Sequence, residues 1–336
     1  MVAPRAFPSW VCPRVASFNA RLIHFFRIFF HPFDISFELL VKSTSYFGYN
    51  PRLCFSSAVS AQELKRNKEA VLSRIRTVAH EGGNTSQLLN SSRKGDSDVS
   101  RSIFGISPRN KLRLLAQCNF VPVSRWALDH LLKAYENRQA DAVASFYHFI
   151  AGMSDTASLR VHVYERQALS YLGGIIAEHN FRIRRLASTE QMTWTYRGPI
   201  PRFNFLQELD FIARITKAVR NKRPLLLVPS APNFPAVHSI LYDPNEPLTC
   251  IQITICKEHH ILVSGLRRIQ TWLKRNTPLA DLRASEERPW RFIFIVPSDE
   301  ASFELQHLKG DTAKGEWAGK VHQHVLRLDV FGKKPR

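Results

Sequence analysis

From Leu225 to Gly265 the chain reads LLLVPSAPNFPAVHSILYDPNEPLTCIQITICKEHHILVSG, three apolar strand candidates in close succession. Two of them carry one polar residue where a buried strand normally has none: His238 in AVHSILYD and Gln252 in LTCIQITIC. A polar side chain removed from water without a hydrogen-bond partner costs roughly 1–3 kcal/mol on mutational scales. Each residue is therefore either satisfied by its surroundings or part of a site.

The segments around this stretch alternate in period. RWALDHLLKAYENRQ behind Ser124, DAVASFYHFIAG, and a segment from about Ser158 carrying Val161, Tyr164, Ala168, Leu172 and Ile175 all have helical spacing. FRIRRLAS and QMTWTYRG read as strands, FLQELDFIARITKAVRN as a helix, ILVSGLRRIQTWLKRN as a helix, RFIFIVP as a buried strand and VLRLDVFG as a last alternating one. Helices followed by strands interleaved with helices predict an α/β (α+β) domain, a mixed sheet with helices packed on it. With 44% hydrophobic residues over 336, the chain has enough apolar surface for one large core or two smaller ones.

Lys and Arg number 47 against 28 Asp and Glu, a formal net charge of +19. Such a balance favours polyanionic partners, nucleic acid first and an anionic membrane surface second; the plainer reading is a basic, soluble surface. The five cysteines, Cys12, Cys54, Cys118, Cys250 and Cys256, show no C-x-x-C spacing, which argues against a zinc site of that kind and for reduced thiols in an intracellular compartment. Residues 1–33 hold no acid, four arginines and the run LIHFFRIFFHPF. That resembles a mitochondrial transit peptide, or else has no folded role; its apolar run is too short to span a membrane, so no transmembrane segment is expected. Residues 61–80 read as a helix, with Leu64, Ala70, Val71, Ile75 and Val78 near one face, and the Gly-, Ser- and Asn-rich segment after it reads as a linker.

No ATP-binding loop of the form G-x-x-x-x-G-K-[S/T] is present, nor H-E-x-x-H, nor G-x-S-x-G. What remains is an ordered set: Glu165 on a helix, His238 on one strand, Gln252 on the next, with Thr254 two residues on and on the same strand face. A metal-dependent nuclease needs oxygen ligands converging on a divalent ion that polarises the phosphodiester and activates water, and one common frame supplies them in this order.

The pieces SLRVHVYERQAL, FRIRRL, VPSAPNFPAVHSIL, IQITICKEHHILVSGL and FIFIVPSDEASFELQ, between about Val123 and Gln306, resemble the carboxy-terminal nuclease-like domain of the Crinkler and retrotransposon-hot-spot proteins. That family belongs to the PD-(D/E)xK restriction-endonuclease-like superfamily. The resemblance implies a restriction-endonuclease-like mixed sheet flanked by helices and preceded by an all-helical segment. It implies catalytic roles for Glu165, His238, Gln252 and Thr254, a matched histidine at His259 with His260 beside it, a metal held by Glu165 and His238, and nuclear action on nucleic acid, DNA before RNA.

The organisation expected is a targeting-like or unstructured amino terminus over 1–60, an isolated helix over 61–80 and a polar linker over 81–103. A helical subdomain over 104–156 and a restriction-endonuclease-like domain over 157–332 follow. The chain departs from the family at Phe234-Pro235-Ala236-Val237-His238, where the pattern has an acid in place of His238. Mg²⁺ prefers oxygen strongly, so this change is expected to weaken or abolish phosphodiesterase activity. Asp243 is a poor substitute, being at an odd offset and in a turn-like Asp-Pro-Asn. Three functions follow. They are a nucleic-acid-binding protein with a degenerate nuclease site, an active endonuclease using Mg²⁺, Mn²⁺ or Zn²⁺, and a non-enzymatic effector-like protein that needs no cofactor. Arg182, Arg184, Arg185, Lys217, Arg220, Arg267, Arg268, Lys274 and Arg275 are the candidate phosphate contacts. Trp194 and Tyr196 are either base-stacking or core residues.

Overall fold

The computed structural model describes residues 35–48, 50–80, 103–108, 118–138, 141–153, 156–188, 190–230, 234–300, 302–310 and 313–332. The transit-like start and all but the last residue of the linker lie outside them. The chain divides into two compact units, Met1–Leu159 and Arg160–Arg336. Among the described residues no helix is long and apolar enough to cross a membrane.

In the first unit α1 (Phe37–Phe47) and α2 (Pro51–Ala58) fall where an unstructured terminus was expected. Their stop and start signals are short and local. Asn50 accepts from the Leu53 amide and Pro51 opens α2, a favoured N-cap followed by a favoured first position. Gly48 closes α1 with φ +56, its amide donating to the Thr44 carbonyl. The expected helix α3 spans Ala61–His80, but it is not isolated. Leu64, Val71, Ile75 and Ala79 are buried, and the Lys68 ammonium sits 3.9 Å over the Tyr46 ring. Ala70 is exposed, so the stripe runs through Ala79 instead.

The helical subdomain expected over 104–156 also needs correction. It opens with an antiparallel pair, β1 (Phe104–Pro108) and β2 (Cys118–Pro122), before α4 (Arg125–Arg138) and α5 (Ala142–Ala151). Five-residue runs are too short to show a period. Ser124 caps α4, accepting from Ala127 and donating to the Tyr46 carbonyl, and Leu128, Leu131, Leu132 and Tyr135 form its buried stripe as the spacing predicted.

The second unit takes most of α6 (Ala157–Gly173) and then an eight-stranded mixed sheet. Its strands are β3 (Glu178–Arg185), β4 (Gln191–Arg197), β5 (Arg202–Phe205), β6 (Leu225–Pro229), β7 (Ser239–Tyr242), β8 (Thr249–Ile253), β10 (Trp290–Pro297) and β12 (Val321–Leu328). In space they run β4-β3-β12-β10-β8-β7-β6-β5. The pairs β8–β10, β10–β12 and β5–β6 are parallel and the rest antiparallel. β10 is nearly all apolar because it is central and covered on both faces.

Helices α7 (Glu208–Arg220) and α8 (Val263–Lys274) bury Phe211, Ile215, Leu266, Ile269 and Trp272 with Ile240, Cys250, Phe292 and Phe294 of the sheet. A small parallel pair, β9 (Ile261–Leu262) with β11 (Leu308–Lys309), and a short α9 (Ala313–Glu316) complete it. The mixed α/β sheet flanked by helices is the fold class the patterning predicts. Trp194 and Tyr196 are 1% and 0% exposed and pack with Phe181, so they are core residues and cannot stack on bases.

Gly265 in the first turn of α8 lets that helix touch the chain that enters β7. A Cβ there would lie 2.0 Å from the Pro235 carbonyl oxygen. The next residues, Ala236 with φ +74, Val237 and His238, lead into the sheet.

Candidate functional site

His238 stands one residue before β7, at the place where that strand stops covering β8. Its own amide still continues the ladder, donating to the Ile251 carbonyl at 2.9 Å. Two residues further along β8, no backbone of β7 remains to meet the Ile253 amide. The His238 Nδ1 takes that place and accepts from the Ile253 N–H at 3.1 Å. The imidazole is thus a side-chain cap on the end of a buried ladder, where an unpaired amide is costly.

This bond fixes the tautomer. A neutral imidazole has one lone pair and one N–H. With Nδ1 accepting, the proton sits on Nε2, which faces the Gln252 side-chain amide at 3.3 Å. The same amide is 2.8 Å from the His259 Nε2. A donor on His238 needs an acceptor opposite, so the Gln252 oxygen belongs between the two rings, where its two lone pairs take both N–H groups. The other end of the Gln252 amide then lies at a buried position with no hydrogen-bond partner among the described residues. At 3% exposure this half-satisfied amide is expensive for a purely structural side chain.

Glu165, buried on α6, brings its Oε2 to 4.0 Å from the His238 Nε2 and 3.9 Å from the His162 Nδ1 one turn earlier. His259 is held from behind by buried Gln306, whose Oε1 accepts from the His259 amide. The Gln306 Nε2 donates to the Lys257 and Glu304 carbonyls, and Gln323 of β12 bonds its backbone in both directions, at 2.9 and 2.8 Å. The loop between β8 and α8 is thereby clamped to the segment after β10. Burial first, then the neighbouring His238 and His260, hold the His259 pKa below the usual imidazole value, so the ring is neutral near pH 7.

The structure therefore brings together Glu165, His238, Gln252 and His259, and adds His162 and Gln306. His162 was legible as the residue one turn before the acid in VHVYE; Gln306 closes the last piece of the resemblance, FIFIVPSDEASFELQ, but had no role assigned to it. Two other expected site residues make other contacts. Thr254 lies just beyond the end of β8, and its hydroxyl accepts from the Cys256 amide at 3.0 Å, holding a turn. His260 is exposed and its ring lies 6.1 Å from that of His307. Asp243 is buried at the far end of β7, accepting from Arg197 at 3.1 Å and from the Asn245 amide at 2.9 Å, and takes no part. Cys54, Cys250 and Cys256 are free thiols, and burial pushes Cys54 and Cys250 up to about 12.

The candidate phosphate contacts divide. Arg184 donates to the Phe303 carbonyl at 2.6 Å, Arg267 to Glu316 at 2.7 Å and Arg275 to both oxygens of Glu208 at 3.1 Å. Arg268 is exposed, its guanidinium lying over the Phe234 and Trp272 rings. Arg182, Lys217, Arg220 and Lys274 are exposed, Arg185 half-buried, and none of these five has an ion-pair partner among the described residues.

The donor set does not fit Mg²⁺. It offers one carboxylate and the Gln252 amide, the Gln306 amide being committed to backbone groups, and the remaining groups are imidazoles. Nor does His238 fit a softer ion, because Nδ1 has given its lone pair to Ile253 and Nε2 carries the proton. Among the described residues no group of three His, Cys, Asp or Glu side chains is gathered closely enough to hold a metal. What the cluster does chemically is hold a neutral, hydrogen-bonded ring pair beside one carboxylate. No family model, curated protein or solved structure matches the chain.

Proposed function

We propose that this protein binds nucleic acid through a restriction-endonuclease-like unit whose phosphodiester-cleaving chemistry has been lost at position 238. One observation carries the reading. A helical acid and two polar residues from adjacent strands, Glu165, His238 and Gln252, meet within 4.0 and 3.3 Å, although 73 residues separate the first from the second. Convergence at one end of a sheet is what a nuclease site of that order requires, and a half-satisfied buried Gln252 is what a purely structural cluster avoids.

His238 supports the loss of activity. Where the resemblance has a carboxylate, the imidazole caps the Ile253 amide and offers nothing to a cation. The charge of +19 supports the polyanionic partner. Binding of a labelled nucleic acid across a salt series tests the proposal. Each phosphate neutralised contributes about −0.9 to the slope of log affinity against log salt on a duplex, so a slope of about −3 or steeper is expected. No binding, or binding indifferent to salt, leaves the non-enzymatic effector-like reading in its place.

A further inference from the structure

We propose that the nucleic acid is a duplex, gripped by its phosphates on the outer surface of α7 and α8 rather than threaded through the site as a single strand. This rests on the nucleic-acid reading above. Proteins that hold single strands use exposed rings on which successive bases stack. Among the described residues of the second unit no Phe, Tyr or Trp side chain is exposed. Trp194 and Tyr196 are sealed in the core. The half-buried Phe203 is covered by Arg214 at 4.5 Å, and Phe234 and Trp272 by Arg268 at 5.2 and 5.0 Å. At α7 and α8 these guanidinium groups sit on top of the rings a base would need, leaving there a surface that offers positive charge and no stacking platform.

Charge on the two helices is one-sided. α7 exposes Arg214, Lys217 and Arg220, with Arg223 just beyond its end, and α8 exposes Arg268 and Lys274. α8 contains no acid, and the two acids of α7, Glu208 and Asp210, are confined to its first turn, where Glu208 is already held by Arg275. That Arg275–Glu208 bond and the Phe211–Trp272 ring contact at 5.2 Å tie the helices to each other. The cations therefore project from rigid elements, so backbone contacts lose little conformational freedom. Arg184 and Arg267, by contrast, are already committed to Phe303 and Glu316.

The test uses the full chain, a labelled duplex of about 20 base pairs and its separate strands, with fluorescence anisotropy over a salt series. The Lys217→Glu/Arg220→Glu pair is compared with Lys65→Glu/Arg76→Glu on α3, all four positions being exposed. The account expects the wild type to bind duplex at least about tenfold more tightly than either strand. It expects the α7 pair to weaken duplex binding at least about tenfold and flatten the salt slope by about 2, and the α3 pair to change affinity by no more than about threefold. Equal or tighter binding of single strands overturns the duplex assignment. An α7 pair no weaker than the α3 pair overturns the surface. A wild type that binds no nucleic acid overturns the reading on which both rest.

Discussion

Replacing His238 by Ala and by Asn separates its capping bond from its ring. In Asn the side-chain oxygen stands where Nδ1 stands in His, both being one bond beyond Cγ, so it accepts from the Ile253 amide now met at 3.1 Å. In Ala that amide, on a residue 1% exposed at the end of β8, has no acceptor. Leaving such a buried donor unpaired costs about 1–3 kcal/mol. Both variants lose the imidazole's packing and its contact with Gln252, so their difference isolates the cap at about 2 kcal/mol, or about 4–8 °C in melting temperature for a unit of this size. Urea and thermal unfolding measure the difference, and hydrogen exchange at Ile253 reads the bond itself. The expected order is wild type, then Asn, then Ala, with Ile253 exchange accelerated only in Ala. Equal destabilisation of Asn and Ala, or an Ile253 amide equally protected in both, would refute the capping role and the tautomer argument built on it.

Gly265→Ala tests the close approach of α8 to Pro235. In an unobstructed helix the change stabilises by about 1 kcal/mol, but here the new Cβ meets a carbonyl oxygen at 2.0 Å, so a net loss of about 2 kcal/mol in urea unfolding is expected. Gly48→Ala in the first unit combines a left-handed φ of +56 with a Cβ placed 1.6 Å from the Val123 carbonyl oxygen. It should cost more than about 3 kcal/mol or prevent that unit from folding, read by circular dichroism. His324 is buried on β12, with Nδ1 3.1 Å from the His322 carbonyl, and burial followed by the Arg291 charge pushes its pKa down to about 4. The unfolded imidazole takes its proton near pH 6.5 while the folded one stays neutral. Stability is therefore fully present above about pH 6.5 and falls as pH drops towards 4, by roughly 3 kcal/mol from this residue; His324→Asn should flatten that part of the urea-stability profile.

The sequence carried the sheet well where strands are buried on both faces. RFIFIVP and LTCIQITIC have no alternative to the interior, and the two polar residues of the opening stretch did mark the place where a helix, two strands and a loop meet. It carried the first unit less well. The helices before residue 60 are made by caps and by burial against α4, which no period in a short segment reveals, and β1 and β2 are too brief to alternate. Within the site, residue type told the chemistry of position 238 but not its use. That the imidazole replaces a missing strand partner follows only from where β7 ends against β8. The use of the Thr254 hydroxyl to hold a turn was likewise not legible, because it depends on where the chain leaves β8 after Ile253. The rim arginines were legible as charge, whereas their pairing with Phe303, Glu316 and Glu208 depends on contacts far apart in sequence.

The most direct measurement is phosphodiester cleavage by the wild type, Glu165→Ala and His238→Asp on duplex and single-stranded substrates with Mg²⁺ and with Mn²⁺. An aspartate at 238 keeps an acceptor for Ile253 and places a second carboxylate beside Glu165. The account predicts no metal-dependent cleavage by the wild type and a gain in His238→Asp that is lost when Glu165 is also replaced by Ala. Cleavage by the wild type that Glu165→Ala abolishes would contradict it.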